Sequence, residues 1–241
     1  MSTFILYCKN WLSLRLRRLL GIPGEGIDVF RDLSRLTDLR AAWLSAEFVE
    51  ERMPSARPLD TKFAVLDYAL GVMEKVPAAE SGLCYEFGVY KGETLNYIAK
   101  RVRGPVYGFD SFEGLPEAWR VGFPQGAFAL AEAQLPACEP NVTLVPGWFN
   151  ESLPPFVASH PQPVAFLHID CDLYSSTRTI FEHLGSSLIP GAVIVFDEYF
   201  NYPGWRAHEH RAFEEFLQAS GRRCEYLSYN RLHEQVAVQV W

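Results

Sequence analysis

The chain has 241 residues, 49% of them hydrophobic and 21% charged, a balance that excludes a disordered or collagen-like polymer. That length buries one large core without help from disulfides or a structural metal. Twenty-two Lys and Arg against 29 Asp and Glu leave a net charge of −7, the wrong sign for a protein whose partner is a nucleic-acid backbone.

The first segment, Phe4 to Leu20, is apolar with a basic cluster at Arg15, Arg17 and Arg18. The apolar residues precede the basic ones and no small-residue cleavage site follows, so the pattern is not a secretory signal. No run approaches the eighteen apolar residues of a membrane span. The spacing predicts a short amphipathic helix that packs on the body or on a second protomer of a homo-oligomer; contact with a membrane surface is the less favoured alternative. Gly21, Pro23, Gly24 and Gly26 then read as a linker. Five cysteines, Cys8, Cys84, Cys138, Cys171 and Cys224, form no CxxC pair and read as free thiols in a reducing, cytoplasmic setting.

Residues 30–50 and 60–76 place apolar side chains three and four apart, which predicts two helices, with Pro54 and Pro58 between them. From Leu83 short apolar runs alternate with helical segments: LCYEFGV, PVYGFD, NVTLVPG, VAFLHID, AVIVFDEY, CEYLSY and QVAVQVW. Seven strands alternating with helices predict a doubly wound α/β domain with a mostly parallel sheet. Residues 230–234, between the last two strands, are too few for a helical crossover, so the last strand is expected to run antiparallel.

In open sheets of this kind ligands bind beyond the carboxyl ends of the strands. The first strand ends at Glu86, followed by Gly88, Tyr90 and Gly92 and a helix entered through Glu93 and Thr94. Glycine there lets the backbone approach a ligand closely. The second strand ends at Asp110, followed by Ser111 and Phe112; an acid in that place accepts hydrogen bonds from ribose hydroxyls. The turn lacks G-x-G-x-x-G and is flanked by carboxylates, which suits a ligand carrying an amine or a sulfonium better than a pyrophosphate. S-adenosylmethionine has both positive groups. Trp148, after Gly147, and Phe112 are candidates for packing against adenine.

The fourth strand ends His168-Ile169-Asp170-Cys171-Asp172 and the fifth ends Asp197-Glu198. Carboxylates crowded at adjacent strand tips repel one another unless a cation lies between them. Hard oxygen donors point to magnesium, with manganese or calcium as alternatives; a helix N-cap at Asp172 is the competing account. His168, inside a strand, reads as a core histidine. His208 and His210, two apart on a helix, face different ways and form no metal motif, while His233 in the last link is a spare base. The aromatic, turn-rich stretch holding Tyr199, Asn201, Tyr202 and Trp205 lies where an acceptor would approach the metal, and its rings suit a sugar; a packed surface loop is the alternative.

YEFGVYKGET, VYGFDSFEGLP, NVTLVPGWF and, above all, HIDCDLYSST followed by IVFDEY resemble the macrocin O-methyltransferase family, from about Asp60 to the C-terminus. The resemblance implies a Rossmann-like class I methyltransferase domain over residues 60–241 behind an N-terminal helical extension, residues 1–59. It implies S-adenosylmethionine over the first two strands, with Asp170 near the cofactor and the metal alike. By position Asp170 and Asp197 resemble the family's metal ligands, Glu198 takes the place of the third, and Asp172 matches the carboxylate general base. The activity implied is methyl transfer to a hydroxyl of a sugar or glycosylated natural product. The residues leave open a catechol-type phenol as acceptor, a metal-dependent glycosyltransferase that uses Asp170 and Asp172 as a D-x-D, and a non-catalytic cofactor-binding protein.

Overall fold

A computed structural model describes residues 32–131 and 134–241. The expected N-terminal amphipathic helix, its linker and Cys8 lie outside the described residues. The chain divides into two units, Met1–Arg40 and Ala41–Trp241, and the whole sheet belongs to the second. No helix among the described residues is long and apolar enough to cross a membrane. Cys84, Cys138, Cys171 and Cys224 are free thiols, as expected.

Helix α1 (Leu33–Arg52) is followed by β1 (Arg57–Leu59), α2 (Lys62–Met73), β2 (Leu83–Phe87), α3 (Glu93–Ala99), β3 (Val106–Asp110) and β4 (Val142–Pro146). Then come α4 (Phe149–Ser159), β5 (Val164–Ile169), α5 (Tyr174–Leu184), β6 (Leu188–Phe196), α6 (Glu209–Ser220), β7 (Cys224–Asn230) and β8 (Val236–Val240). Among the described residues the strands form one sheet in the order β1-β7-β8-β6-β5-β2-β3-β4, parallel except for β8, which runs antiparallel to β6 and β7. The seven strands expected from the sequence are β2 to β8. The eighth, β1, is a three-residue edge strand pairing with β7. Its central Pro58 is tolerated only because an edge strand need not donate on both sides, and so short a piece leaves no alternating pattern to read.

β5 is buried along its whole length and β6 at all but one position, which explains the uninterrupted apolar runs: helices cover both faces of a parallel sheet. The chain winds outward from β2 to β3 and β4, then returns to β5 and β6 on the other side of β2. This reversal opens a crevice beyond the carboxyl ends of β2 and β5. Register holds the strand ends level there: Phe87 pairs with Phe109 and Ile169, and Ile169 with Phe196. The Asp170 amide donates to the Phe87 carbonyl and the Asp197 amide to the Ile169 carbonyl, so both acids leave the ladder at one height.

Candidate active site

The crevice holds a cleft of about 340 Å³. Of the residues expected at a cofactor or metal, Gly88, Tyr90, Asp110, Ser111, Trp148, Asp170, Asp172 and Glu198 line it. Gly88 has φ +91°, and a Cβ there would run into the Asp170 carbonyl oxygen. Gly92 has φ +75°, and a Cβ would stand 2.8 Å from Pro136 Cβ. Both glycines therefore admit neighbouring parts of the chain, whereas the sequence pattern suggested close approach to a ligand. Asp110 locks the turn between them. Its Oδ2 accepts the Val89 and Tyr90 amides at 2.8 Å each, and its Oδ1 accepts the Phe112 amide at 2.7 Å. A carboxylate offers roughly four acceptor sites, so capacity remains for a ribose hydroxyl.

Glu86 and Thr94 stand behind the strand ends, not in the cleft wall. Thr94 Oγ1 donates to Glu86 Oε1 at 3.1 Å, and His168 Nδ1 donates to Glu86 Oε2 at 2.8 Å, all three side chains being buried. The far nitrogen of His168, Nε2, lies 3.8 Å from Asp197 Oδ1. Neither atom has a hydrogen-bond partner among the described residues. Burial works against a charged imidazole, but Asp197 and Glu86 outweigh it and push the His168 pKa up to about 10. Burial likewise disfavours ionised Asp197, yet His168 and Gln235, whose Nε2 donates to Asp197 Oδ2 at 3.1 Å, hold that carboxyl below its usual range. Asp170 is pushed well up, first by burial and then by the Asp197 charge.

One donor atom each from His168, Asp170 and Asp197 lie within 4.8 Å of one another. Two carboxylates, an imidazole held from behind, and two orphaned buried atoms fit a divalent cation. The sequence placed Glu198 third in this set and read His168 as core. In the structure His168 offers a third donor atom beside Asp170 and Asp197, while Glu198 lines the cleft with a buried Oε2 that has no partner among the described residues, its carboxyl pushed well up by burial and then by the Asp197, Asp170 and Asp172 charges. His168 is interior, as strand periodicity indicates, but periodicity does not show which neighbour its ring meets.

Asp172 is buried at 6% exposure with φ 65°, a left-handed conformation that costs an aspartate on the order of 1–3 kcal/mol. It is not a helix cap: α5 is capped at Leu173, with no side-chain hydrogen bond. Burial raises its pKa to about 7; Arg120 opposes the rise, and Asp197 and Glu234 add to it. Glu209, at the start of α6, is fully buried and accepts the Glu198 amide through Oε2 at 3.2 Å, bracing the end of β6.

The aromatic stretch after β6 is placed elsewhere than expected. Tyr199 and Trp205 are core residues around Phe48 and His210, with Tyr199 Oη sharing a 2.8 Å hydrogen bond with Tyr226 Oη. Tyr202 is buried beside Trp119, and the Asn201 amide donates to Ser45 Oγ at 2.9 Å. His233 is exposed and offers its carbonyl to Asn201. None of these five lines the cleft. Packing of α1 against this stretch buried the rings, and nothing local in the sequence announces that contact.

The aromatic wall of the cleft comes instead from the segment between β3 and β4: Leu115, Pro116, Trp119, Arg120, Phe123 and Phe128. That segment folds on itself, with Leu115 and Ala127 joined by a backbone hydrogen bond. It is latched to the body by Ser175 Oγ donating to Glu117 at 2.6 Å and by Arg120 with Glu234 at 3.0 and 3.2 Å. Its available signal was length: a crossover of about 30 residues carrying several aromatics exceeds what a simple βα connection needs.

Residues 85–199 match the family described as a methyltransferase domain. A curated relative, 8-demethyl-8-(2,3-dimethoxy-alpha-L-rhamnosyl)-tetracenomycin-C 4'-O-methyltransferase of Streptomyces olivaceus, is 28% identical over a region covering 47% of this chain and 51% of that protein. The chain thus spans about half the length of the curated relative that it matches. Among solved structures, CalS11, a calicheamicin methyltransferase, superposes with a TM-score of 0.58 at 22% identity, covering 90% of this chain and 98% of CalS11. The O-methyltransferase NovP superposes with a TM-score of 0.54 at 23% identity, covering 72% and 78%. The fold is that of the class I methyltransferases, and the sequence is similar to that of a sugar-directed O-methyltransferase.

Proposed function

We propose that this chain is an S-adenosylmethionine-dependent O-methyltransferase acting on a hydroxyl of a glycosylated small molecule, with a divalent cation, magnesium first, at His168, Asp170 and Asp197. The carrying observation is that one cleft at the switch point is lined by the Asp110-locked turn together with Asp170 and Asp172, and that buried His168 and Asp197 each bring a donor atom within 4.8 Å of one from Asp170. The similarity to a methyltransferase of a rhamnosylated tetracenomycin supports a glycoside as acceptor.

Chemically, a sugar hydroxyl is a weaker acid than even a phenol, whose pKa is about 10, so almost none is ionised near neutrality. A divalent cation bound by the three donors supplies Lewis acidity that lowers this cost. Glu86 fixes the His168 ring through Nδ1 and so commits Nε2 to the cluster. Asp172 lines the cleft within the same group, and a buried carboxylate with a pKa near neutrality is suited to take the hydroxyl proton as the oxygen attacks the donated methyl group. Asp110 holds the turn that receives the cofactor's ribose, and Trp148 borders the same end of the cleft. Much of the rate is asked of positioning.

Calorimetric titration of S-adenosylmethionine, with and without magnesium, tests this reading. Binding by the wild type and by Asp170→Asn, lost in Asp110→Ala, is expected. Absence of binding in every condition would overturn it.

A further inference from the structure

Asn230 and Gln235 flank the tip of the β7–β8 hairpin and are both buried, at 1% and 8% exposure. A buried carboxamide costs free energy unless its donors and acceptor are met, so both need partners. Register supplies them. Val236 pairs with Phe196 of β6 on one side and with Tyr229 of β7 on the other. One step further along, Gln235 therefore stands between Asp197 and Asn230, and opposed residues on neighbouring strands bring their side chains together on one face. The Asn230 amide donates to the Gln235 carbonyl at 2.9 Å and the Tyr199 amide to the Glu234 carbonyl at 3.0 Å, which pins the hairpin tip on both sides.

The three side chains form a relay of hydrogen bonds with a single direction. The Leu232 amide, which can only donate, meets Asn230 Oδ1 at 3.0 Å. With its oxygen so occupied, Asn230 turns Nδ2 to Gln235 Oε1, 2.7 Å away. Gln235 is left to donate through Nε2 to Asp197 Oδ2 at 3.1 Å. Either carboxamide turned end for end would set oxygen against oxygen and nitrogen against nitrogen, so the backbone amide fixes both. It commits Asp197 as well. Oδ2 is taken, while Oδ1, buried and without a partner among the described residues, faces the His168 ring that Glu86 holds through Nδ1.

We propose that Gln235 and Asn230 are positioning residues for the cation cluster, setting the Asp197 carboxylate so that Oδ1 is the oxygen left for it. Gln235 acts on Asp197 directly, and Asn230 acts only through Gln235. The inference rests on the cation proposed above at His168, Asp170 and Asp197, and gives that cluster a second support: Glu86 of β2 orients the imidazole, and the β7–β8 hairpin orients a carboxylate.

The test is manganese binding by the full chain, followed by electron paramagnetic resonance of the free ion with no acceptor present, so that turnover does not enter. Gln235→Leu, which keeps the bulk and loses the donor, should weaken manganese by about tenfold or more. Asn230→Asp offers Gln235 only acceptors, so the Gln235 amide turns its oxygen towards Asp197 and affinity should fall by about fivefold or more, although Asn230 itself makes no hydrogen bond to the cluster. In a Gln235→Leu background the same change should add less than about twofold, because the relay is already cut. Arg231→Ala, which removes an ion pair with Asp60 from the same hairpin tip, should stay within about twofold of the wild type. Calorimetry with S-adenosylhomocysteine, expected within about twofold of the wild type for every variant, certifies that each is folded. Manganese affinity unmoved by Gln235→Leu, a full effect of Asn230→Asp in the Gln235→Leu background, or an equal loss in Arg231→Ala would each overturn the proposal. If Gln235→Leu does not fold, Asn230→Asp alone decides by the same measure. A wild-type chain that binds S-adenosylhomocysteine but no manganese would instead sink the cation reading, and the proposal with it.

Discussion

Glu86 and His168, 82 residues apart in the chain, are joined by a 2.8 Å hydrogen bond in a fully buried setting, and that bond decides which nitrogen of the histidine meets Asp197. A glutamate that sequence pattern assigns to the cofactor thus serves the acid cluster from behind. Glu86→Gln keeps a polar group of the same shape but loses the charge that holds the ring. Magnesium activation of methyl transfer should shift to concentrations about 10- to 100-fold higher, with S-adenosylmethionine affinity little changed. Lost cofactor binding with an unaltered magnesium requirement would contradict this assignment.

Asp172 is the one cleft carboxylate with a left-handed backbone, and burial raises its pKa to about 7, near where a proton acceptor works best. Asp172→Asn should lower kcat by about 10²- to 10⁴-fold while calorimetry finds S-adenosylmethionine binding retained. A variant with near-normal turnover would remove Asp172 from that role.

Gly88 lets the backbone just after β2 pass close to the Asp170 carbonyl just after β5. Gly88→Ala combines a positive φ with a clash against the Asp170 carbonyl, so it should cost more than about 3 kcal/mol in denaturant unfolding, or abolish folding. A loss of less than about 1 kcal/mol would mean that the turn relaxes and that the close approach is not required.

His210 gives a pH prediction away from the cleft. Packed against Phe48, Tyr199 and Trp205, with neither ring nitrogen paired among the described residues, it is held neutral by burial, and the nearby Arg206 and Arg52 add to this, pulling its pKa down to about 4. Above pH 6.5 the imidazole is neutral whether folded or unfolded and costs nothing. As pH falls from 6.5 towards 4 the unfolded chain gains a proton that the folded chain refuses, so folding loses about 3 kcal/mol over that window. His210→Phe should remove this part of the slope. Parallel stability profiles for the two proteins between pH 7 and 4 would show that the ring finds a proton acceptor when charged.

Much of this was legible in the chain. The uninterrupted apolar runs of β5 and β6 follow from burial on both faces, and the five-residue link before β8 left no room for a crossover. Strand ends are local features, so Asp110, Asp170, Asp172 and Asp197 could be picked out as the residues leaving the sheet at its carboxyl edge. Other roles were not legible, because strand and helix periods report which way a side chain faces and not what stands opposite. His168 faced inward by pattern, but only the register of β2 against β5 set it on Glu86. Tyr199 and Trp205 carried the composition of a sugar platform, yet Phe48 of α1 closes over them.

Alternating strand and helix runs, the acids at their ends and the HIDCDLYSST block therefore determined the fold class and the chemistry, since both rest on patterns only a few residues long. Tertiary structure alone decided which acid joins an imidazole, which glutamate stands behind it and which aromatic wall faces the cleft. Each of those depends on contacts between segments tens of residues apart, which sheet register and loop packing create.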